Sequence, residues 1–246
     1  RQADIGVAMG KSGTDVTRQA AGVVLLDDNF ATIVSAVEEG RVIYQNIRRF
    51  IRYLLTSNLG EVTGMLFVIL MGLPVSLLPI QILLVNLFTD GLPAIALGME
   101  PPAKGLMHHP PRPKEESLFA HGLTKTILLR GILLGALSSA VYAGSLYVGA
   151  DLQTARSACF LTIVFSQMLH IFECRGKGLR LGGNPALLLA TMASMAAAAA
   201  SVYLPILQNI CGTASVSGMP LAMVIGGVLA SPVLESCYKI PPTRIK

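Results

Sequence analysis

The sequence predicts an all-α polytopic membrane protein with six transmembrane helices, preceded by a small α/β segment at the N-terminal end. Of its 246 residues, 52% are hydrophobic and only 13% are charged, about half the charged fraction of an average soluble domain. Six apolar runs each reach the ~20 residues that a helix needs to cross a ~30 Å hydrocarbon core. Ahead of them, residues 1–30 contain the shorter apolar runs that are typical of strands.

The N-terminal segment has the pattern of a strand, a helix and a second strand. "ADIGVAMG" and "GVVLLDD" are short apolar runs bounded by Gly and Asp, and "SGTDVTRQAAG" between them contains helix-capping residues and a closing Gly. This order predicts a parallel α/β unit. The stretch "NFATIVSAVEEGRVIYQNIRRF" then changes to a helical period, and no Pro separates it from the next apolar run. We therefore predict that a stalk helix over residues 31–49 continues into the first span.

The positions of Lys and Arg orient the predicted spans. Basic residues cluster before the first span, in the second and fourth loops and after the last span, whereas the first loop (72–76) and the fifth loop (205–218) carry no charge. Cytoplasmic loops are enriched in Lys and Arg, so we expect both termini to be cytoplasmic, with residues 239–246 as a cytoplasmic tail. The six predicted spans are Phe50–Met71, Leu77–Gly98, Lys125–Gly149, Ala155–Glu173, Pro185–Leu204 and Met219–Tyr238.

The net charge of +5 does not indicate a nucleic-acid partner, because the basic residues lie scattered at the ends of apolar runs and form no single patch. The four cysteines show no CxxC spacing, so we expect neither a disulfide framework nor a cysteine metal cluster. Buried thiols that behave as small apolar groups are the simpler interpretation. The partner that the composition predicts is the lipid bilayer.

A carboxylate and an amide interrupt the first apolar run, in the stretch "TSNLGEV". Asn58 and Glu61 are three residues apart and therefore share a helix face. An ionised side chain at the middle of a bilayer costs at least ~2.5–3.5 kcal/mol on insertion scales, so it usually has a partner and a function. No Lys or Arg occurs between Tyr53 and Gly98 to neutralise this charge.

The second span contains matching polar groups in "NLFTDGLPA". Asn86 lies three residues before Thr89 and four before Asp90, so these side chains share a helix face. Gly91 and Pro93 follow at once, and we expect them to interrupt the helix and to free backbone carbonyls nearby. Many transporters place such broken helices beside their binding sites near the bilayer midplane.

Together, these five side chains have the composition of a site for a hard cation. All of them supply oxygen and two are carboxylates, which is the type of ligand set that calcium and related ions prefer. The alternatives are polar contacts that only join the two helices, or a protonated carboxyl pair. Two carboxylates in one apolar environment favour ion binding, because leaving both ionised and unpaired is costly.

The same residues resemble those of a known family. "TSNLGEV", "LLVNLFTDGLPAIALGMEPP" and "HHPPRPKEESLF" resemble the fifth and sixth membrane helices and the following loop of the P-type cation-transporting ATPases, in the calcium-pump branch. The opening "ADIGVAMGKSGTDVTRQAAGVVLLDDNFATIVSAVEEGR" is similar to the end of that family's phosphorylation domain where it enters the stalk. The resemblance covers the whole chain and is most specific over its first 120 residues.

The resemblance implies a division into domains. Residues 1–30 would end the HAD-like phosphorylation domain, 31–49 would form the stalk helix, 50–238 would form family helices five to ten, and 239–246 would form the tail. The family phosphorylates an aspartate in a DKTGT motif and uses a later GDGVND motif to hold magnesium; the chain contains neither motif. We therefore expect a C-terminal fragment that has no catalytic or cofactor-binding residue and does not hydrolyse ATP alone. ATP and Mg²⁺ are expected in upstream domains of the same pump.

The resemblance also implies roles for individual residues. In "LTIVFSQMLHIFECRG", Gln167 stands in the place of a ligand glutamate and His170 follows one turn later. Gln167 is either a ligand or a residue that forms an ordinary interhelical hydrogen bond. His170 is a candidate ligand or proton carrier. The family's fourth helix, which completes a second ion site, is missing. By position, the family's calcium ligands correspond to Asn58, Glu61, Asn86, Thr89 and Asp90, with Asp90 placed to bridge two ions.

The expected function is that of the membrane part of an ATP-driven calcium, or divalent-cation, pump that binds its ion between the first two spans. The expected partners are the lipid bilayer, the transported cation and the upstream domains. A manganese or monovalent-cation P-type pump, a secondary cation transporter and a purely structural membrane subunit are the alternatives. The expected location is a bacterial plasma membrane, which the chain crosses several times.

Overall fold

A computed structural model of the protein describes residues 4–103, 105–113, 115–176 and 182–237, and for Asp90 and residues 235–237 it describes only the backbone. The chain divides into two compact units. The first unit contains residues 1–44 and 102–111, and the second contains residues 45–101 and 112–246.

The first unit begins with the predicted strand, helix and strand. Strand β1 (Val7–Met9) pairs in parallel with β2 (Val23–Leu25), and helix α1 (Asp15–Ala20) connects them. Thr14 caps α1, since its side-chain oxygen accepts a hydrogen bond from the helix backbone. Asp28 follows β2 with a φ of 53°. Hydrogen bonds from two loop amides lower the pKa of its carboxyl to about 2.

A single long helix, α2 (Phe30–Leu70), contains the predicted stalk and the first predicted span. The prediction that they are continuous is therefore confirmed, and the absence of Pro within these 41 residues explains it. The helix ends in a left-handed Gly72, with a φ of 69°. The amide of Leu73 then donates to the carbonyl of Val68 at 3.2 Å, which closes the last turn as in a Schellman motif.

The second predicted span is broken where the sequence predicts it. Helix α3 (Pro79–Asp90) ends before Gly91, and helix α4 (Leu92–Gly98) begins directly after it. Gly91 has a ψ of −116°, outside the helical range. Pro93 has no N–H, so the chain loses one intrahelical donor at this point. A side chain at Gly91 would lie 2.7 Å from the carbonyl oxygen of Leu87, which explains the glycine.

Five further helices complete the second unit, and five helices of the described chain are long and apolar enough to cross a membrane. These five include α2 and the broken pair α3 and α4. The last helix contributes a shorter apolar stretch, Gly218–Leu234, within the range that was searched. The all-α polytopic architecture is therefore confirmed. The further helices are α5 (Leu123–Tyr147), α6 (Leu152–Cys174), α7 (Pro185–Tyr203), α8 (Pro205–Cys211) and α9 (Gly218–Cys237).

Helix α6 forms the centre of the second unit. Of its most apolar stretch, 83% is buried, against 39–50% for the other four candidate spans. A polar side chain on α6 therefore faces protein on almost every side, and it needs partners on neighbouring helices.

Small residues allow α2 and α5 to approach closely. Gly60 and Gly64 on α2 face Gly131 and Gly135 on α5, each pair with the GxxxG spacing. A Cβ atom at Gly135 would lie 2.6 Å from the backbone nitrogen of Gly64 and 2.9 Å from the carbonyl oxygen of Gly60. Glycines on both helices therefore make this close crossing possible.

Candidate cation site

Glu61 is buried and meets an amide from the central helix. Its side chain on α2 is 4% exposed, and Gln167 on α6 is 1% exposed. The Gln167 Nε2 donates to Glu61 Oε1 at 3.1 Å and to the carbonyl oxygen of Ser57 at 3.3 Å. Gln167 therefore forms the interhelical hydrogen bond that the sequence left open, and this bond fixes the orientation of its amide group.

The same geometry leaves the Gln167 oxygen available. Within the described part of the chain, Gln167 Oε1 is buried and accepts no hydrogen bond. Since Nε2 already bonds to Glu61, rotating the amide would not satisfy both ends at once. Hydrogen bonding and a ligand role for Gln167 are thus compatible, because they use different atoms.

The predicted ligands on α3 lie next to its broken end. Thr89 is fully buried, and its hydroxyl donates to the carbonyl of Val85 at 2.9 Å. Asn86 is half-buried, and its Oδ1 is without a hydrogen-bond partner among the described residues. Asp90 is the last residue of α3, and its side chain lies outside the described residues.

Asn58 differs from Glu61, although the two residues are only three apart. Its side chain is exposed, and its Nδ2 donates to the carbonyl of Leu54 on its own helix at 2.9 Å. Residues three apart on a helix differ in direction by about 60°. Glu61 therefore faces α6, whereas the Asn58 side chain is not covered by this helix and is exposed.

Buried oxygens without partners concentrate around this region. In the second unit, five hydroxyl or amide oxygens on α2, α3 and α6 are buried and accept or donate no hydrogen bond among the residues that the structure describes. Each such atom costs about 1–3 kcal/mol when it is left unsatisfied. A bound cation would offset this cost for those oxygens that coordinate it. The five atoms are Thr56 Oγ1, Ser57 Oγ, Asn86 Oδ1, Ser166 Oγ and Gln167 Oε1.

The chemistry of the site is that of oxygen donors around a carboxylate. In the searched part of the chain, three or more His, Cys, Asp or Glu side chains nowhere gather in a group that could hold a metal ion. The candidate site instead combines Glu61 with amide, hydroxyl and carbonyl oxygens. Such a set fits a hard cation, since neither sulfur nor imidazole takes part.

A buried tyrosine, which the sequence analysis missed, supports the broken turn. Tyr53 on α2 is fully buried, and its hydroxyl donates to the carbonyl of Thr89 at 3.2 Å. In a regular helix this carbonyl would accept from residue 93, which is a proline here. The sequence predicts that Gly91 and Pro93 free backbone carbonyls near the break. The carbonyl of Thr89 is one of them, and it accepts a hydrogen bond from the Tyr53 side chain.

A buried charged cluster lies at the junction of α5, α6 and α9. Arg130, 1% exposed, donates to Glu173 Oε2 at 2.8 Å and to its Oε1 at 3.1 Å, and also to the carbonyl of Ser231 at 2.5 Å. His170 Nδ1 lies 2.8 Å from Glu173 Oε2, and its Nε2 lies 3.4 Å from Cys174 Sγ. In the sequence, Arg130 is the residue that could have indicated this cluster, because it is a charge inside an apolar run.

A second buried ion pair joins the ends of three helices. Arg175 donates to both oxygens of Glu100, at 2.9 and 3.0 Å, and neither side chain is exposed. Asn184, which caps α7, donates to Glu100 Oε2 at 3.1 Å and to the carbonyl of Ala96 at 2.9 Å. These contacts fix the end of α4 relative to α6 and α7.

Comparisons with known proteins all indicate the same protein family. Residues 74–240 match the model of a family described as "Cation transporting ATPase, C-terminus". A calcium-transporting ATPase of Bacillus subtilis is 45% identical over 231 residues, which cover 92% of this chain and 26% of the relative. A calcium-transporting ATPase of Plasmodium falciparum is 46% identical over 181 residues, covering 71% of this chain and 14% of the relative.

A plant relative gives the same result. "Calcium-transporting ATPase 4, endoplasmic reticulum-type" of Arabidopsis thaliana is 43% identical over 176 residues, covering 70% of this chain and 16% of the relative. The chain therefore spans about a quarter or less of the length of the curated relatives it matches.

Proposed function

We propose that this chain forms the membrane part of an ATP-driven calcium pump. The chain belongs to the family described as "Cation transporting ATPase, C-terminus". The printed names of its relatives support calcium as the transported ion. The chain itself would bind the ion between α2 and α3, and the rest of the pump would supply ATP hydrolysis with Mg²⁺.

The observation that carries this proposal is the contact between Glu61 and Gln167, together with unpartnered oxygens on the neighbouring helices. One buried carboxylate is held by Gln167 Nε2, while Gln167 Oε1 and Asn86 Oδ1 stay buried without hydrogen-bond partners in the described chain. Ca²⁺ takes six to eight oxygen ligands at 2.3–2.6 Å, including carboxylate and amide oxygens. We propose Gln167 as a further ligand through Oε1, in addition to the predicted ligands Asn58, Glu61, Asn86, Thr89 and Asp90.

The proposed transport cycle changes the geometry of this site. Phosphorylation in the upstream domains would move α2 relative to α3 and so change the distances between ligands on the two helices. A cation held by several oxygens loses affinity when one ligand moves away, because the required distances are narrow. We further infer that both termini face the cytoplasm of a bacterial cell, since cytoplasmic loops are enriched in Lys and Arg and the basic residues lie before the first span, in the second and fourth loops and after the last span.

The test uses the full-length pump with Glu61→Gln. This substitution keeps the size of the side chain and removes its charge, so we expect the calcium concentration for half-maximal phosphorylation by ATP to rise at least about tenfold. Glu39→Gln is the matched control, because Glu39 is an exposed carboxylate on the same helix. It should leave the calcium dependence unchanged.

Three outcomes would overturn the proposal. Wild-type calcium dependence in Glu61→Gln would remove Glu61 from the site. Phosphorylation that follows manganese or a monovalent cation and ignores calcium would establish a pump of different selectivity. Transport without any phosphorylated intermediate would establish a secondary transporter.

A further inference from the structure

We propose that His170 is a positioning residue for the cation site and that it acts through Tyr53 on the carbonyl of Thr89. This inference rests on the proposed function, because it assigns a role in cation binding. It begins at the broken turn between α3 and α4. Two proposed ligands, Thr89 and Asp90, are the last two residues before the break, so the position of this turn decides where their oxygens lie.

The first step is the contact between Tyr53 and the turn. Pro93 removes the usual backbone donor to the Thr89 carbonyl, and the Tyr53 hydroxyl donates to that oxygen at 3.2 Å. A helix end without its regular hydrogen bonds needs an external partner to keep one conformation. Tyr53 supplies such a partner from α2, the helix that also carries Glu61.

The second step is the contact between Tyr53 and His170. Their rings stack with centroids 6.3 Å apart and an angle of 26° between the planes. Both residues are fully buried. The hydroxyl of a tyrosine lies at the far end of a rigid ring, so a neighbouring ring that restricts the Tyr53 ring also restricts the position of its hydroxyl.

The third step is what holds His170 itself. Nδ1 lies 2.8 Å from Glu173 Oε2 and Nε2 lies 3.4 Å from Cys174 Sγ. A carboxylate only accepts, so the contact with Glu173 requires the tautomer with a hydrogen on Nδ1, and in the neutral ring Nε2 would then accept from the thiol. Arg130 Nε, 3.3 Å from Nδ1, then makes a packing contact, because a protonated nitrogen has no lone pair to offer.

The fourth step is the anchor behind His170. Arg130 holds both oxygens of Glu173 and also the carbonyl of Ser231 on α9. The orientation of the imidazole is thus tied to α5 and α9 as well as to its own helix. Buried side chains with several partners of this kind are rigid, which is what a supporting residue requires.

The contacts of His170 favour this role over a ligand or a proton carrier for the cation site. Its Nδ1 contacts Glu173 and Arg130, and its Nε2 contacts Cys174. Its ring lies nearly parallel to that of Tyr53. Imidazole is also a poor ligand for calcium, which prefers oxygen.

The test measures calcium-dependent phosphorylation and maximal turnover of the full-length pump with four variants. Tyr53→Phe removes the hydroxyl, His170→Ala removes the stacked ring, and His170→Phe keeps a ring but loses both nitrogens. The fourth variant combines Tyr53→Phe with His170→Ala. Tyr142→Phe is the matched control: Tyr142 is also fully buried and donates to a carbonyl, that of Pro74, at 2.7 Å.

We expect Tyr53→Phe and His170→Ala each to raise the half-maximal calcium concentration about three- to tenfold, the value of one lost hydrogen bond. Maximal turnover should stay within about twofold of the wild type. His170→Phe should restore most of the calcium affinity, because a stacked ring remains. The double variant should be no worse than the poorer single variant, since both remove the same contact.

Several results would overturn the proposal. Effects of Tyr53→Phe and His170→Ala that multiply in the double variant would show independent roles. A loss in His170→Phe as large as that in His170→Ala would show that the nitrogens act directly. Unchanged calcium affinity in Tyr53→Phe would remove Tyr53 from the support, even if His170→Ala fails to fold. If Glu61→Gln still shifts the calcium dependence, such a result rejects the positioning role alone.

Discussion

Replacing Gln167 by Glu tests the geometry of the candidate site most directly. In Gln167→Glu the Nε2 that lies 3.1 Å from Glu61 Oε1 becomes an oxygen, so a hydrogen bond turns into a contact between two acidic oxygens. At that separation two unit charges repel by about 5 kcal/mol at an effective dielectric constant of 20. The lost hydrogen bond to a charged group adds about 1.5–3 kcal/mol. Proton uptake by the pair limits the total cost, as does a bound cation.

We therefore expect Gln167→Glu to be less stable than the wild type without calcium, and to gain more stability than the wild type when calcium is added. In the presence of a calcium chelator, the melting temperature of Gln167→Glu should be lower than that of the wild type. Calcium should raise the melting temperature of Gln167→Glu more than that of the wild type, because the added carboxylate is a stronger ligand and stabilisation follows RT ln(1 + [L]/Kd). A gain of about tenfold in calcium affinity corresponds to about 1.4 kcal/mol.

The assay is thermal unfolding of the purified full-length pump across a calcium series. Gln153→Glu is the matched control, because Gln153 lies on the same helix, is exposed and donates to the carbonyl of Thr213. It should show the calcium-induced shift of the wild type. If Gln167→Glu shows neither a loss in chelator nor a larger calcium-induced shift, Gln167 does not face Glu61 and the site as described is wrong.

Two further predictions concern the scaffold around the site. Gly135→Ala should lower the stability of the full-length pump by about 1–3 kcal/mol in thermal unfolding, because the added Cβ would lie 2.6 Å from a backbone atom of Gly64; Gly40→Ala, with nothing within 4 Å, should be neutral or slightly stabilising. Glu100→Gln should cost about 3–5 kcal/mol, because it leaves the buried guanidinium of Arg175 without its countercharge. Either variant melting at the wild-type temperature would contradict the corresponding contact.

Local sequence patterns were sufficient to predict the elements that depend on neighbouring residues. The parallel pair of β1 and β2 follows from two apolar runs joined by a capped helix. The uninterrupted α2 follows from a helical period without Pro, and the break at Gly91 follows from Pro93 two residues later. Helix α8 was missed: residues 205–218 were assigned to a loop, although Pro205 at the first helical position and a left-handed Gly212 at the end are signals of a short helix.

The partners of the site residues were not predictable in the same way. Asn58 and Glu61 share a predicted face, yet one is exposed and the other is buried against α6. Periodicity gives the direction of a side chain around its own helix, but not which helix packs there. Likewise, Arg130 and Glu173 are 43 residues apart in sequence, and their pairing depends on how α5 and α6 cross.

The buried polar groups of the second unit fall into two classes, and the difference between them bears on where a ligand binds. Arg130 with Glu173 and Arg175 with Glu100 are ion pairs at 2.8–3.1 Å, with further hydrogen bonds from neighbouring groups. Such satisfied groups hold helices together and gain little from a ligand. The oxygens around Glu61 are different, since several have no partner in the described chain although they are equally buried. Each such oxygen costs free energy until a hydrogen-bond donor, water or a cation satisfies it. Five of these unpartnered oxygens lie on α2, α3 and α6, which supports the proposal that a cation binds between these helices.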